Sequence, residues 1–150
     1  MNIYTVSVFG HRKIENFKSV EKLALTIEEL IRTKPYVSFF VGRNGEFDVY
    51  AASVIKEMQR KLGKENADIS LILPYAAAEL AYYEKYYDFV TIPEELYGVH
   101  PKAAITLRNR WMIERSDMVI VYVEHTSGGA CAAMKYAEKL NKKIINLCGA

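Results

Sequence analysis

Cysteine is scarce. Only Cys131 and Cys148 occur in 150 residues, without a CxxC or a paired His/Cys spacing, which excludes zinc-ribbon, redox-dithiol and disulfide-scaffold designs. A reduced, cytoplasmic setting fits this usage, and neither a metal nor a cofactor is expected. No apolar stretch approaches the roughly 20 residues of a membrane helix, and residues 1–5 lack the basic region, apolar run and cleavage site of a signal peptide. Membrane association is therefore not expected. A surplus of one charge sign is also missing: 20 basic against 18 acidic side chains give a net charge of +2, interspersed along the chain. That balance is too small to imply polyanion binding without a clustered patch, so a nucleic-acid partner is not expected either. There is no GxGxxG after a strand, no GxxxxGK[ST], no GxSxG and no HExxH, which disfavours dinucleotide dehydrogenases, P-loop NTPases, α/β-hydrolases and zinc proteases.

What remains is an ordinary globular balance of 51% apolar and 25% charged residues, read as one domain over residues 1–150. A chain of this size buries roughly two thirds of its unfolded surface and needs no staple. Its one compositional oddity is tyrosine: eleven in all, among them Tyr75, Tyr82, Tyr83, Tyr86 and Tyr87. The last four form helical pairs four residues apart, which suits core packing or a subunit interface; exposed rings would instead offer base-stacking surfaces. Tyr75 differs because it follows a strand.

Strand-length apolar runs fall at residues 3–9, 36–41, 69–73, 89–92, 118–123 and 143–147. Several are almost continuously apolar and rich in Val, Ile and Phe, as strands buried on both faces of a parallel sheet are. Helical spacing joins them. Phe17, Val20, Leu23, Ile27, Leu30 and Ile31 share one face, as do Phe47, Ala51, Val54, Ile55, Met58 and Leu62. Further helices are expected over residues 77–87, 101–115 and 129–140, the second with Ala104, Leu107 and Trp111 as its buried stripe. The alternation predicts an α/β fold: a single Rossmann-like domain with a mostly parallel open sheet and helices on both faces.

Ligands of such sheets bind outside the carboxyl ends of the strands, so the loops can be sorted by edge. The loops that follow strands gather Gly10, His11 and Arg12, then Gly42, Arg43, Asn44 and Gly45, then Tyr75, and finally Glu124 with Ser127, Gly128 and Gly129. Glycines there permit sharp turns or close approach of a ligand, arginines fork onto phosphates, and helix starts present N–H groups to anions. Glu46 suits compensation of a helix dipole. Asp48 would accept hydrogen bonds from a ribose hydroxyl or a base, or assist catalysis. Arg108 lies within a helix on a different face from Leu107 and Trp111, where a solvated arginine is the ordinary occupant.

Val8 to Arg12, Gly42 to Asp48 followed by Tyr50-Ala51-Ala52, Leu71 to Tyr75, Arg108 to Met112, Ser116-Asp117, Val119 to Val121 and Gly128-Gly129 stand in an order that resembles the SLOG superfamily. These are Rossmann-like nucleotide-binding domains that include the LOG phosphoribohydrolases and DprA, and the likeness is nearest to their small YspA and YpsA members. The resemblance implies a site at the strand ends and a homodimer or higher homo-oligomer. It places Arg108 and Met112 on the Arg and Met of the RKxxM motif, which raises Arg108 to a substrate-site residue. Gly128 and Gly129 match the start of PGGxGTxxE, but Ser127 stands for its proline, Cys131 and Ala132 for its third glycine and threonine, and Lys135 for the glutamate that phosphoribohydrolysis needs.

The expectation is thus a module that binds a small nucleotide-derived ligand through Gly10, His11, Arg12, Gly42, Arg43, Asn44, Gly45, Asp48, Tyr75, Arg108, Ser127, Gly128 and Gly129. The alternatives are cleavage or transfer of an N-glycosidic bond, with Asp48 and Glu124 as the carboxylates available to stabilise an oxocarbenium-like state, and a protein-interaction module that uses the tyrosine surface.

Overall fold

The Val- and Ile-rich runs form a six-stranded sheet in which every pairing is parallel. The computed structural model describes residues 2–149, so Met1 and Ala150 lie outside the description. The strands are β1 (Tyr4–Gly10), β2 (Val37–Val41), β3 (Ala67–Ile72), β4 (Phe89–Thr91), β5 (Met118–Tyr122) and β6 (Lys143–Asn146). Between them run α1 (Phe17–Val20), α2 (Lys22–Thr33), α3 (Glu46–Leu62), α4 (Leu80–Tyr86), α5 (Pro101–Glu114) and α6 (Gly129–Lys139). No helix among the described residues is long and apolar enough to cross a membrane.

The spatial order β4-β3-β2-β1-β5-β6 makes the chain start at the centre, step outward through β4 and then cross back to β5. The direction of winding reverses between β1 and β5, which opens a crevice beyond their carboxyl ends. Alternation along the strands supplies two cores. Val6, Val8, Phe39, Ile69, Leu71 and Ile120 point toward α2 and α3, where they meet Leu23, Ile27, Phe47, Ala51 and Ile55. Phe9, Ile72, Val119 and Val121 point the other way, toward Met112, Ile113, Ala130, Ala133 and Ala137 of α5 and α6. Asp117 fixes the register of the central pair: its N–H donates to the Thr5 carbonyl (2.8 Å) and its carboxylate accepts the Thr5 N–H (2.9 Å).

Three expectations are corrected. The first helix is two pieces, divided at Glu21, and Asn16 caps the short α1 through the Ser19 N–H; Phe17, assigned to the buried stripe, is exposed. The inward face of α5 is formed by Ala104, Arg108, Met112 and Ile113, while Leu107 is exposed and Trp111 is half-buried against Phe40. A buried arginine replaces the apolar stripe that spacing suggested. The helix expected over residues 77–87 is confined to α4.

Gly10 ends β1 under the ring of Phe47: a Cβ there would lie 2.2 Å from the ring. Gly10→Ala should therefore cost about 1–3 kcal/mol through overpacking, read as a lowered urea midpoint with an unchanged m-value.

Candidate functional site

A cavity of about 250 Å³ occupies the crevice, lined by Phe9, Gly10, His11, Arg12, Gly42, Asn44, Asp48, Ile105, Arg108, Asn109, Gly128, Gly129 and Ala130. It draws on the loops after β1, β2 and β5 and on the inward face of α5.

Arg108 sits in its wall. The side chain is 2% exposed; Nη1 donates to the Ile72 carbonyl and Nε to Asn109 Oδ1, both at 2.8 Å. A Cβ at Gly42 would lie 3.1–3.3 Å from the guanidinium, so the absence of a side chain there admits the arginine. Among the described residues no carboxylate pairs with Arg108 within 4.0 Å and nothing accepts from its Nη2, yet no buried polar atom is left orphaned. Nη2 is therefore open to the cavity. Burial pushes the guanidinium below its ordinary value, opposed by Asp48 and by the Tyr75 hydroxyl; an arginine so placed remains a cation.

Asp48, in the first turn of α3, accepts the Asn44 N–H (2.9 Å) and thereby shapes the loop after β2. Burial raises its carboxyl, while the Asn44 N–H and Arg108 act the other way. Glu46, read as dipole compensation, also ties two loops together: its N–H donates to the Arg12 carbonyl (2.8 Å) and its Oε1 accepts the Ile14 N–H (3.0 Å). Arg12 is exposed at the rim. Gly128 takes φ 97°, a left-handed conformation that glycine adopts without strain, and it turns the chain so that α6 begins at the cavity with open space beside Gly129.

Of the residues singled out by sequence, Gly10, His11, Arg12, Gly42, Asn44, Asp48, Arg108, Gly128 and Gly129 are brought together. Gly45 lies against the Arg12 backbone, and Ser127 and Tyr75 lie outside the lining. Arg43 turns away, donating from Nη1 to the Tyr87 hydroxyl (3.1 Å). Glu124 also lies outside the lining and accepts the Tyr122 hydroxyl proton (2.7 Å). Phe9, Ile105, Asn109 and Ala130 were missed. Asn109 had one signal, its adjacency to Arg108; the other three lie at the cavity only because of how strand and helix pack.

His11 clamps the loop after β5. Its Nε2 accepts the N–H groups of Glu124 (2.8 Å) and His125 (3.2 Å), which requires the neutral tautomer protonated on Nδ1. Burial, then the neighbouring His125, lowers its pKa, with Glu124 and Glu15 opposing.

No family model and no curated protein matches the sequence. Solved structures do. DNA processing protein A from Helicobacter pylori, in a structure that describes its single-stranded DNA binding mode, superposes with a TM-score of 0.65 at 16% identity, over 94% of this chain and 63% of that one. DNA processing protein A (DprA) from Streptococcus pneumoniae superposes with a TM-score of 0.69 at 15% identity, over 95% and 49%. The chain thus spans less than two thirds of either neighbour, and it shares their Rossmann-like fold.

Against these neighbours two expectations are corrected: that the ligand is a small nucleotide-derived molecule, and that nucleic acid is not a partner; the expectation of a homo-oligomer finds no support in them. The H. pylori protein with this fold binds single-stranded DNA. A net charge near zero does not by itself exclude a polyanion. The sum of +2 averages over the surface, whereas a strand held at one edge meets only the few cations there.

The His11 clamp has a stability signature. Below the ordinary value of 6.5 the unfolded chain takes up a proton that folded His11 resists. The contribution is complete above pH 6.5 and is lost as pH falls through the lowered folded-state value. Urea midpoints should therefore fall between about pH 7 and about pH 5 more steeply in the parent chain than in His11→Asn, which keeps an acceptor but no titrating ring.

Proposed function

We propose that this chain binds single-stranded DNA at the carboxyl edge of its sheet, with one nucleotide unit seated in the cavity and its phosphate facing Arg108, Arg12 and the start of α6. The observation that carries this reading is the buried Arg108 with Nη2 open to the cavity, in a fold shared with DNA processing protein A.

A buried guanidinium without a carboxylate partner is costly. An anion entering the cavity would supply the missing charge and accept a charge-assisted hydrogen bond, about twice as strong as a neutral one. Arg108 is already oriented by Ile72 and Asn109, so little side-chain entropy is lost on contact. Arg12 at the rim adds a second cation, and the first N–H groups of α6 add their dipole. Asp48 opposes a phosphate through its charge and favours sugar or base edges as neighbours on that wall. A cavity for one nucleotide suits a flexible single strand that can splay a unit out of line, whereas a paired duplex cannot offer one without unstacking. The motif resemblance to the small SLOG proteins and a cytoplasmic setting, with Cys131 and Cys148 as free thiols, belong to the same reading.

Fluorescence anisotropy with a labelled oligo-dT tests it. The parent chain should bind the strand in preference to a duplex of the same length. Arg108→Met should weaken binding about tenfold or more, as expected for a hydrogen bond to a charged group, and Arg12→Ala by less. One neutralised phosphate predicts a log–log salt slope of about −0.7. Binding unchanged by Arg108→Met in a folded protein, or absent in the parent chain, would overturn the reading.

A further inference from the structure

We infer that an aromatic ledge beside the cavity, built from Tyr82 and Tyr83 with Arg43 against it, stacks the unpaired bases that adjoin the nucleotide in the cavity; this rests on the DNA-binding reading above.

Helical spacing alone would bury the tyrosines of α4, and the structure buries only the one that follows it, Tyr87. Tyr82 is 57% exposed, a large aromatic face to leave in water. The rings are nonetheless ordered from beneath. Tyr87 packs edge-on against Tyr86 and Tyr83, with centroids 4.9 and 6.3 Å apart, and Tyr83 meets Tyr82 at 6.0 Å. The exposed faces therefore stand on a fixed base, and stacking on them orders little that is not already ordered.

Continuity and charge identify the occupant. Arg43 lies between Gly42 and Asn44, both of which line the cavity, so its side chain leaves from the rim. Its guanidinium lies 5.1 Å from the centroid of Tyr83 while Nη1 donates to the Tyr87 hydroxyl. Among the described residues no carboxylate lies within 4.0 Å of it. Flat faces with an interposed cation match a single strand, whose bases stack and whose phosphates need countercharge.

The test uses the full chain with two probes of equal length, oligo-dT and an abasic oligonucleotide that keeps the sugar-phosphate backbone. The parent chain should prefer oligo-dT by about tenfold or more, the scale of one base stacked on an aromatic ring. Tyr82→Ala/Tyr83→Ala should lose that preference while binding the abasic strand as before, and Tyr82→Phe/Tyr83→Phe should retain it, since stacking needs no hydroxyl. Arg108→Met should weaken both probes alike. If the parent chain binds both strands equally, or the double alanine variant keeps the full preference, the ledge is refuted and the cavity reading stands. A double alanine variant that alters sedimentation but not DNA affinity would refute it too, assigning the rings to contacts between copies. Failure to bind either probe would remove both readings.

Discussion

The site depends on a cation held inside the protein. Arg108 lies under Gly42, donates to the Ile72 carbonyl and is steadied by Asn109. Burying a guanidinium is tolerable only if its donors are satisfied and some remaining donor faces a solvated or anionic space. That requirement explains features that otherwise look unrelated. The loop after β2 begins with a glycine because any side chain would crowd the guanidinium. Neighbouring Asp48 is kept partly out of water, where its charge moderates that of Arg108. The inward face of α5 gives up an apolar contact in favour of the arginine, flanked by Ala104 and Met112.

The loops around this cation are braced independently of any ligand. Glu46 bridges to the segment after β1 through its N–H and its carboxylate. Tyr122 accepts the N–H groups of Glu15 and Asn16 while donating to Glu124, and His11 gathers the N–H groups of Glu124 and His125. Each bracket joins loops from different strands at the same edge. The cavity is therefore preorganised: its shape follows from contacts within the protein, which lowers the ordering cost of whatever enters.

Much of this was legible in the sequence. The six apolar runs became the six strands, within a few residues at each end, because a strand buried on both faces leaves an unbroken hydrophobic signature. Sorting loops by edge found most of the cavity lining, since topology alone sends those loops to one side. Other features could not be read this way. Periodicity assigned Leu107 and Trp111 to the core because it scores apolarity, and an arginine that turns inward to reach a carbonyl of β3 carries no apolar signal. Gly10 looked like room for a ligand, yet it makes room for Phe47, a contact across 37 positions that local spacing cannot reveal. Nor does whole-chain charge exclude a nucleic acid, because the local field at the sheet edge decides such binding.

The placement of β1 also bears on how the molecule comes into being. This strand is central, and its bond to β5 is made by residues 112 positions apart, Thr5 and Asp117. Pairings among β1, β2 and β3 close over much shorter stretches and can form while the chain is still emerging. Docking of β5 must await a long loop closure, the slow class of event in parallel sheets. The cavity needs residues on both sides of that joint. A half-made chain thus has most of its sheet but no pocket, and the cavity is completed late, together with the final closure of the fold.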